Sequence, residues 1–185
     1  MSLALCLCLV MSYVPLMSLT ALGADVVVYI NENGNSTTYT GAYTEVTSGL
    51  TTWSDGWYVV KGDVTVAERI TVSGTVNLIL ADGAQLTANE GICVNQGNTF
   101  IVYAQSEDKA TMGKLTSTGI DYNAGIGGNK GNDNGTVIIN GGIINITGGK
   151  FAAGIGGGQA GHGGIVTING GILTVNAGRF GAAIG

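Results

Sequence analysis

The chain has 185 residues, 33 of them Gly, with 10% charged residues and a formal net charge of −5. An average soluble domain has about 7% Gly and about 25% charged residues, so this composition is too apolar for a disordered chain and too rich in Gly for ordinary helices. Seven Lys and Arg, scattered along an acidic sequence, form no basic patch, which argues against nucleic acid or anionic lipid as a partner.

Residues 1–24, MSLALCLCLVMSYVPLMSLTALGA, read as a secretory signal peptide. The apolar run ends in small residues, and cleavage is expected after Gly23 or Ala24. A transmembrane anchor is the competing reading, because about 20 apolar residues span a bilayer; Pro15 and the small-residue end favour cleavage. No further membrane contact is expected. Cys6 and Cys8 fall in this segment. Cys93 is then left without a cysteine partner, and it reads as a small buried residue.

Residues 25–56 read as an N-terminal β cap. Val26 to Ile30 is followed by Asn33-Gly34, a hairpin signal. Trp53 and Trp57 are expected to anchor the cap over the open end of a coil that begins at residue 57. The functional alternative is that Trp53, Trp57 and Tyr58 form an aromatic platform for a sugar ring. From residue 57, WYVV, DVTV, RITV and VNLIL read as short strands on successive sides of that coil.

Residues 57–185 carry a repeat. NGTVIINGGIINITGG returns 29 residues later as GGIVTINGGILTVNAG. One column runs Leu86, Leu115, Ile144, Leu173; the next runs Thr87, Thr116, Asn145, Thr174. Two positions further on come Asn89, Thr118, Thr147 and Asn176, and Tyr122, Phe151 and Phe180 form an aromatic column. Apolar residues alternate with Thr and Asn, which is the period of a half-buried strand. A fixed period of this length marks a solenoid. The predicted fold is all-β: a parallel β-helix of about 29 residues per turn, right-handed by the default for parallel connections. An antiparallel Gly-rich sandwich is the rival. The break at Ala183-Ile184-Gly185, where the previous row has Gly154-Ile155-Gly156-Gly157, predicts truncation at the C-terminus.

No catalytic set is legible. Glycoside hydrolysis needs two carboxylates about 5–9.5 Å apart, and no Asp or Glu follows Asp133. His162, the sole His, reads as a solvated loop residue. Gly156 to Gly161 matches GxGxxG without the helix and acidic residue that a dinucleotide site needs. No cofactor is expected, although a single weak calcium site from Asp121 or Asp133 with loop carbonyls stays open. The one repeated surface feature is the Thr/Asn face: Thr87, Asn89, Thr116, Thr118, Asn145, Thr147, Thr174 and Asn176. It reads as a solvated outer face, with polysaccharide or ice and mineral as functional alternatives.

WSDGWYVVKGDVTVAERITVSGTVNLILADGAQLTANEGICV, with the AGIGG and INGG phrases, resembles a group of bacterial secreted, Gly-rich-repeat β-helix surface proteins. These are described as carbohydrate-binding-domain or adhesin-like repeat proteins. The resemblance spans about residues 53–185 and implies an exported module at the bacterial cell surface, with a polysaccharide or host glycan as partner. It supplies no binding residues. The expectation is a non-catalytic stalk or adhesin-like module; the alternatives are a polysaccharide-binding module and a fragment of a polysaccharide lyase or hydrolase.

Overall fold

The computed structural model describes residues 26–185; the expected signal peptide lies outside them. Among the described residues there is no α-helix, and three parallel sheets stack the strands as a parallel β-helix does. Strands are numbered along the chain. The first sheet holds β3 (Thr44–Glu45), β5 (Gly56–Val60), β8 (Thr75–Leu80), β11 (Thr99–Ala104), β14 (Thr136–Ile139) and β17 (Ile165–Ile168), in that order. The second holds β6 (Asp63–Val66), β9 (Gln85–Ala88), β12 (Lys114–Thr118), β15 (Ile143–Thr147) and β18 (Ile172–Asn176). The third holds β4 (Thr52–Trp53), β7 (Ile70–Val72), β10 (Ile92–Cys93), β13 (Ile126–Gly127) and β16 (Ile155–Gly156). From β5 onward the chain visits first, second and third sheet in turn. All pairing within these sheets is parallel, which excludes the antiparallel sandwich.

The register follows the sequence columns. Leu86, Leu115, Ile144 and Leu173 pair in succession in the second sheet, each 29 positions from the last. The earlier turns keep the ladder with shorter loops: Tyr58 pairs with Leu78, and Thr75 with Thr99. Between β11 and β14 the step lengthens, Thr99 to Thr136, because residues 105–113 occupy the corner that Asn140, Gly141 and Gly142 alone turn one coil later. The strand register is fixed by backbone pairing and inward apolar residues. Loops at the corners vary without disturbing it.

Side chains at alternate positions fill the interior. Val76, Leu78, Leu80, Leu86, Ile92, Phe100, Val102, Leu115, Ile126, Val137, Ile139, Ile144 and Ile155 form one continuous buried cluster. Each is worth about 1.5–3 kcal/mol on leaving water. Ser117 takes an inward position in β12, and its hydroxyl donates to the Gly125 carbonyl at 2.8 Å.

The AGIGG phrase is a backbone requirement. Gly127 and Gly156 sit one above the other at φ 138° and 143°. A side chain on Gly127 would run into the Gly156 carbonyl. Only Gly combines that conformation with that approach.

Residues 26–56, the segment read as a cap, pack in two places. β1 (Val27–Ile30) and β2 (Ser36–Tyr39) form an antiparallel hairpin. The hairpin lies on the outer side of the first sheet, where Val27 packs with Val59, Ile79 and Tyr103. Those strands are apolar on both faces, so an outer cover removes further apolar surface from water. The interior of the first turn is filled by Val46, Leu50 and Trp53.

Candidate functional site

The Thr/Asn columns stand on the outside of the second sheet. Thr87, Thr116, Asn145 and Thr174 pair in succession, as do Thr118, Thr147 and Asn176. Asn89 follows directly after β9, and its backbone N–H donates to the Val66 carbonyl at 3.0 Å. All eight side chains are exposed or half-buried. Thr116, Thr118, Asn145, Thr147, Thr174 and Asn176 make no side-chain hydrogen bond with other described residues. Their hydroxyls and amides therefore face solvent as an uncharged array.

The two Trp residues go elsewhere. Trp53 is fully buried, stacks on Tyr58 at 5.2 Å, and donates its indole N–H to the Leu50 carbonyl. Trp57 stacks on Tyr39 at 4.3 Å and on Tyr103 at 5.5 Å, with Tyr29 tilted against it at 5.2 Å. The Tyr58 hydroxyl closes the turn by bonding both Ser54 backbone groups. A sugar platform needs an open ring face. These rings are committed to packing: Trp53 and Tyr58 to the interior, Trp57 to the hairpin.

Cys93 is buried, but on the outer side of its sheet rather than in the interior. Its neighbours Ile92 and Val94 point inward. Arg69 lies beside it, donating to the carbonyls of Glu90, Ala124 and Gly127 and to Asn129 Oδ1 at 2.7–3.2 Å. Burial pushes the Cys93 thiol up, against the opposing pull of Arg69. Burial likewise lowers the Arg69 guanidinium. Arg69 thus straps two later turns to its own.

Three cations that look scattered in sequence converge. Tyr122, Phe151 and Phe180 stack at 5.4 and 5.1 Å, with planes within 16°. Lys130, Lys150 and Arg179 each lie within 5.1 Å of one of these ring centres. Cation–ring contact gives the column its own cohesion.

Asp133 and His162 are also stacked. Asp133 Oδ1 accepts the His162 backbone N–H at 2.8 Å and faces its Nδ1 at 2.9 Å. These bonds lower the Asp133 pKa, the backbone one most. Asp133 Oδ1 is thus engaged in joining the two turns. Among the described residues no three His, Cys, Asp or Glu side chains are grouped to hold a metal.

A cleft of about 290 Å³ opens at the corner between the first and second sheets. Three segments distant in sequence build it: the hairpin tip at Ile30 to Gly34, the loop from Ala104 to Met112, and the stacked corners at Asn140 and Asn169. The loop is held firmly. Gln105 Oε1 accepts from the Asp82 N–H, Ser106 Oγ donates to Asp82 Oδ1, and the Gly83 N–H reaches the Thr111 carbonyl. The hairpin tip is held by Asn31 Oδ1, which accepts from the N–H groups of Asn33 and Asn35. Residues 104–113, AQSEDKATMG, stand outside the repeat columns, so no sequence period places them against the hairpin.

Comparison with protein families, with curated proteins and with solved structures finds no match to this chain.

Proposed function

We propose that this chain is a non-catalytic, secreted or cell-surface β-helix module of a larger protein, serving as a stalk or adhesin-like unit. The observation that carries this reading is the stacking of like on like through successive turns: aliphatic inside, Thr and Asn outside the second sheet. Such a coil buries a continuous core along one axis and makes a stiff rod. The right-handed winding, the 29-residue turn as the ideal unit and bacterial export belong to the same proposal, supported by the resemblance of the Gly-rich phrases. Protease shaving of intact cells of the source organism, read with an antibody to this chain, tests it. Release of fragments is expected. A chain protected in intact cells and cleaved only after lysis overturns it.

A second reading is favoured by the open hydroxyls and amides of the second sheet. A flat, uncharged array with unpaired donors and acceptors suits many weak hydrogen bonds to a neutral polysaccharide. Binding of the full chain to an immobilised neutral glycan, weakened at least tenfold by Thr116→Val with Thr174→Val, supports it. Unchanged binding by the double variant removes the second sheet from the interaction.

A further inference from the structure

We infer that the cleft between the hairpin tip and the loop over residues 104–112 is a binding site for one or two units of a neutral saccharide. It uses none of the second-sheet Thr/Asn columns and goes beyond the stalk reading. Both departures from the repeat, the antiparallel hairpin and the insertion, meet here. In solenoids, insertions gather on one face, often the binding face.

The floor of the cleft carries a donor open to a ligand. Asn140 is 6% exposed, and its Oδ1 accepts from Asn169 Nδ2 at 2.7 Å. Its own Nδ2 has no partner among the described residues, while Asn140 lines the cleft. That bond uses one atom of each amide and leaves one donor, Asn140 Nδ2, and one acceptor, Asn169 Oδ1. That donor opens to solvent in the cleft, and a ligand hydroxyl can replace the water it would otherwise hold.

The rim selects the ligand class. Glu32 and Glu107 line the cleft and make no ion pair among the described residues, and a carboxylate accepts from two hydroxyls at once. With Lys109 the charged lining sums to one negative charge, which disfavours phosphates and other anions. Met112 and Ile172 supply an apolar wall. Vicinal hydroxyls that donate and accept, on a ring with a C–H face, match this mixture. The volume lies just below the ~300–1,000 Å³ range of small-ligand clefts, which fits a glycan end group or a short stretch rather than a long chain. The hydrogen bonds holding both walls pre-form the site and lower the entropic cost of binding.

The test is NMR titration of the full chain with glucose, galactose, mannose and N-acetylglucosamine and their β-linked disaccharides. At least one of these sugars is expected to shift the side-chain amide signals of Asn140 and Asn169 saturably. Glu32→Ala with Glu107→Ala should weaken that binding at least tenfold with unchanged circular dichroism, and Glu107→Gln alone should weaken it measurably. The inference is overturned if no sugar shifts those amides, if calcium alone does so, or if binding survives the double variant. Protease shaving of cells reports on the stalk reading whichever way this titration falls.

Discussion

Asn169 donates to Asn140 across 2.7 Å, although 29 residues separate them in the chain. This side-chain bond joins two adjacent turns at their Gly-Gly corners and sets which amide atoms face the cleft. Removing the donor with Asn169→Ala leaves Asn140 Oδ1 without its partner at a partly solvated site. A loss of about 0.5–1.5 kcal/mol is expected, read as a lower urea midpoint with an unchanged slope. No change in midpoint would mean the pair contributes nothing net.

Arg69 should matter more for stability than any other charged side chain. It donates to three carbonyls and one amide oxygen that lie in later turns. Arg69→Ala strips donors from partly buried carbonyls, each worth about 1.5–3 kcal/mol to a charged group, though water will replace part of this. A loss of at least about 2 kcal/mol is expected. Arg69→Lys should rescue little, because an ammonium lacks the planar fork. Faster amide exchange confined to residues 124–129 would show the strap released; full rescue by Lys would argue against the fork.

The glycines divide into two groups. Gly127→Ala is expected to destabilise strongly or abolish folding, since φ is 138° and the Gly156 carbonyl blocks the new methyl. Gly131→Ala should cost only about 1 kcal/mol, the usual Gly-to-Ala penalty in the left-handed region. Its φ is 76° with open space around it, and Ala160 holds φ 63° at the matching position one turn on. Equal thermal shifts for the two variants would refute this division.

Alkali should loosen the hairpin. Burial pushes the Tyr103 pKa up to about 12, with Tyr29 and Glu32 adding to it. Tyr29 is raised by burial first and then by Glu32. A raised phenol pKa means the folded state holds its proton while the unfolded state releases it. Stability is therefore full below about pH 10, the unfolded value, and falls as pH rises towards 12. Tyr103→Phe should flatten the decline between those limits, measured by urea unfolding at stepped pH. An undiminished slope in that variant would assign the loss to other groups.

Much of this architecture was legible because a parallel coil places equal residues on one another. The columns from Leu86 to Leu173 and from Thr87 to Thr174 pair as spaced. So do the ring columns from Tyr122 to Phe180. The two Trp residues were legible as packing anchors, but their partners were not. Val59, Ile79 and Tyr103 did carry a signal: apolar runs such as YVV and LIL leave both strand faces apolar, so something must cover the outer one. Sequence alone could not show that the cover is the β1–β2 hairpin.

The sequence by itself determined the alternation, the column register and the glycines, since each follows from neighbours along the chain or from a fixed period. Only the tertiary structure decided what meets across unequal loops. It brought Lys130, Lys150 and Arg179 beside one aromatic stack, laid Arg69 over the carbonyls of later turns, and closed a cleft between Glu32 and Glu107. The physical reason is that backbone ladders repeat, whereas corner loops of differing length and an added hairpin obey no period, so their contacts exist only once the coil has wound.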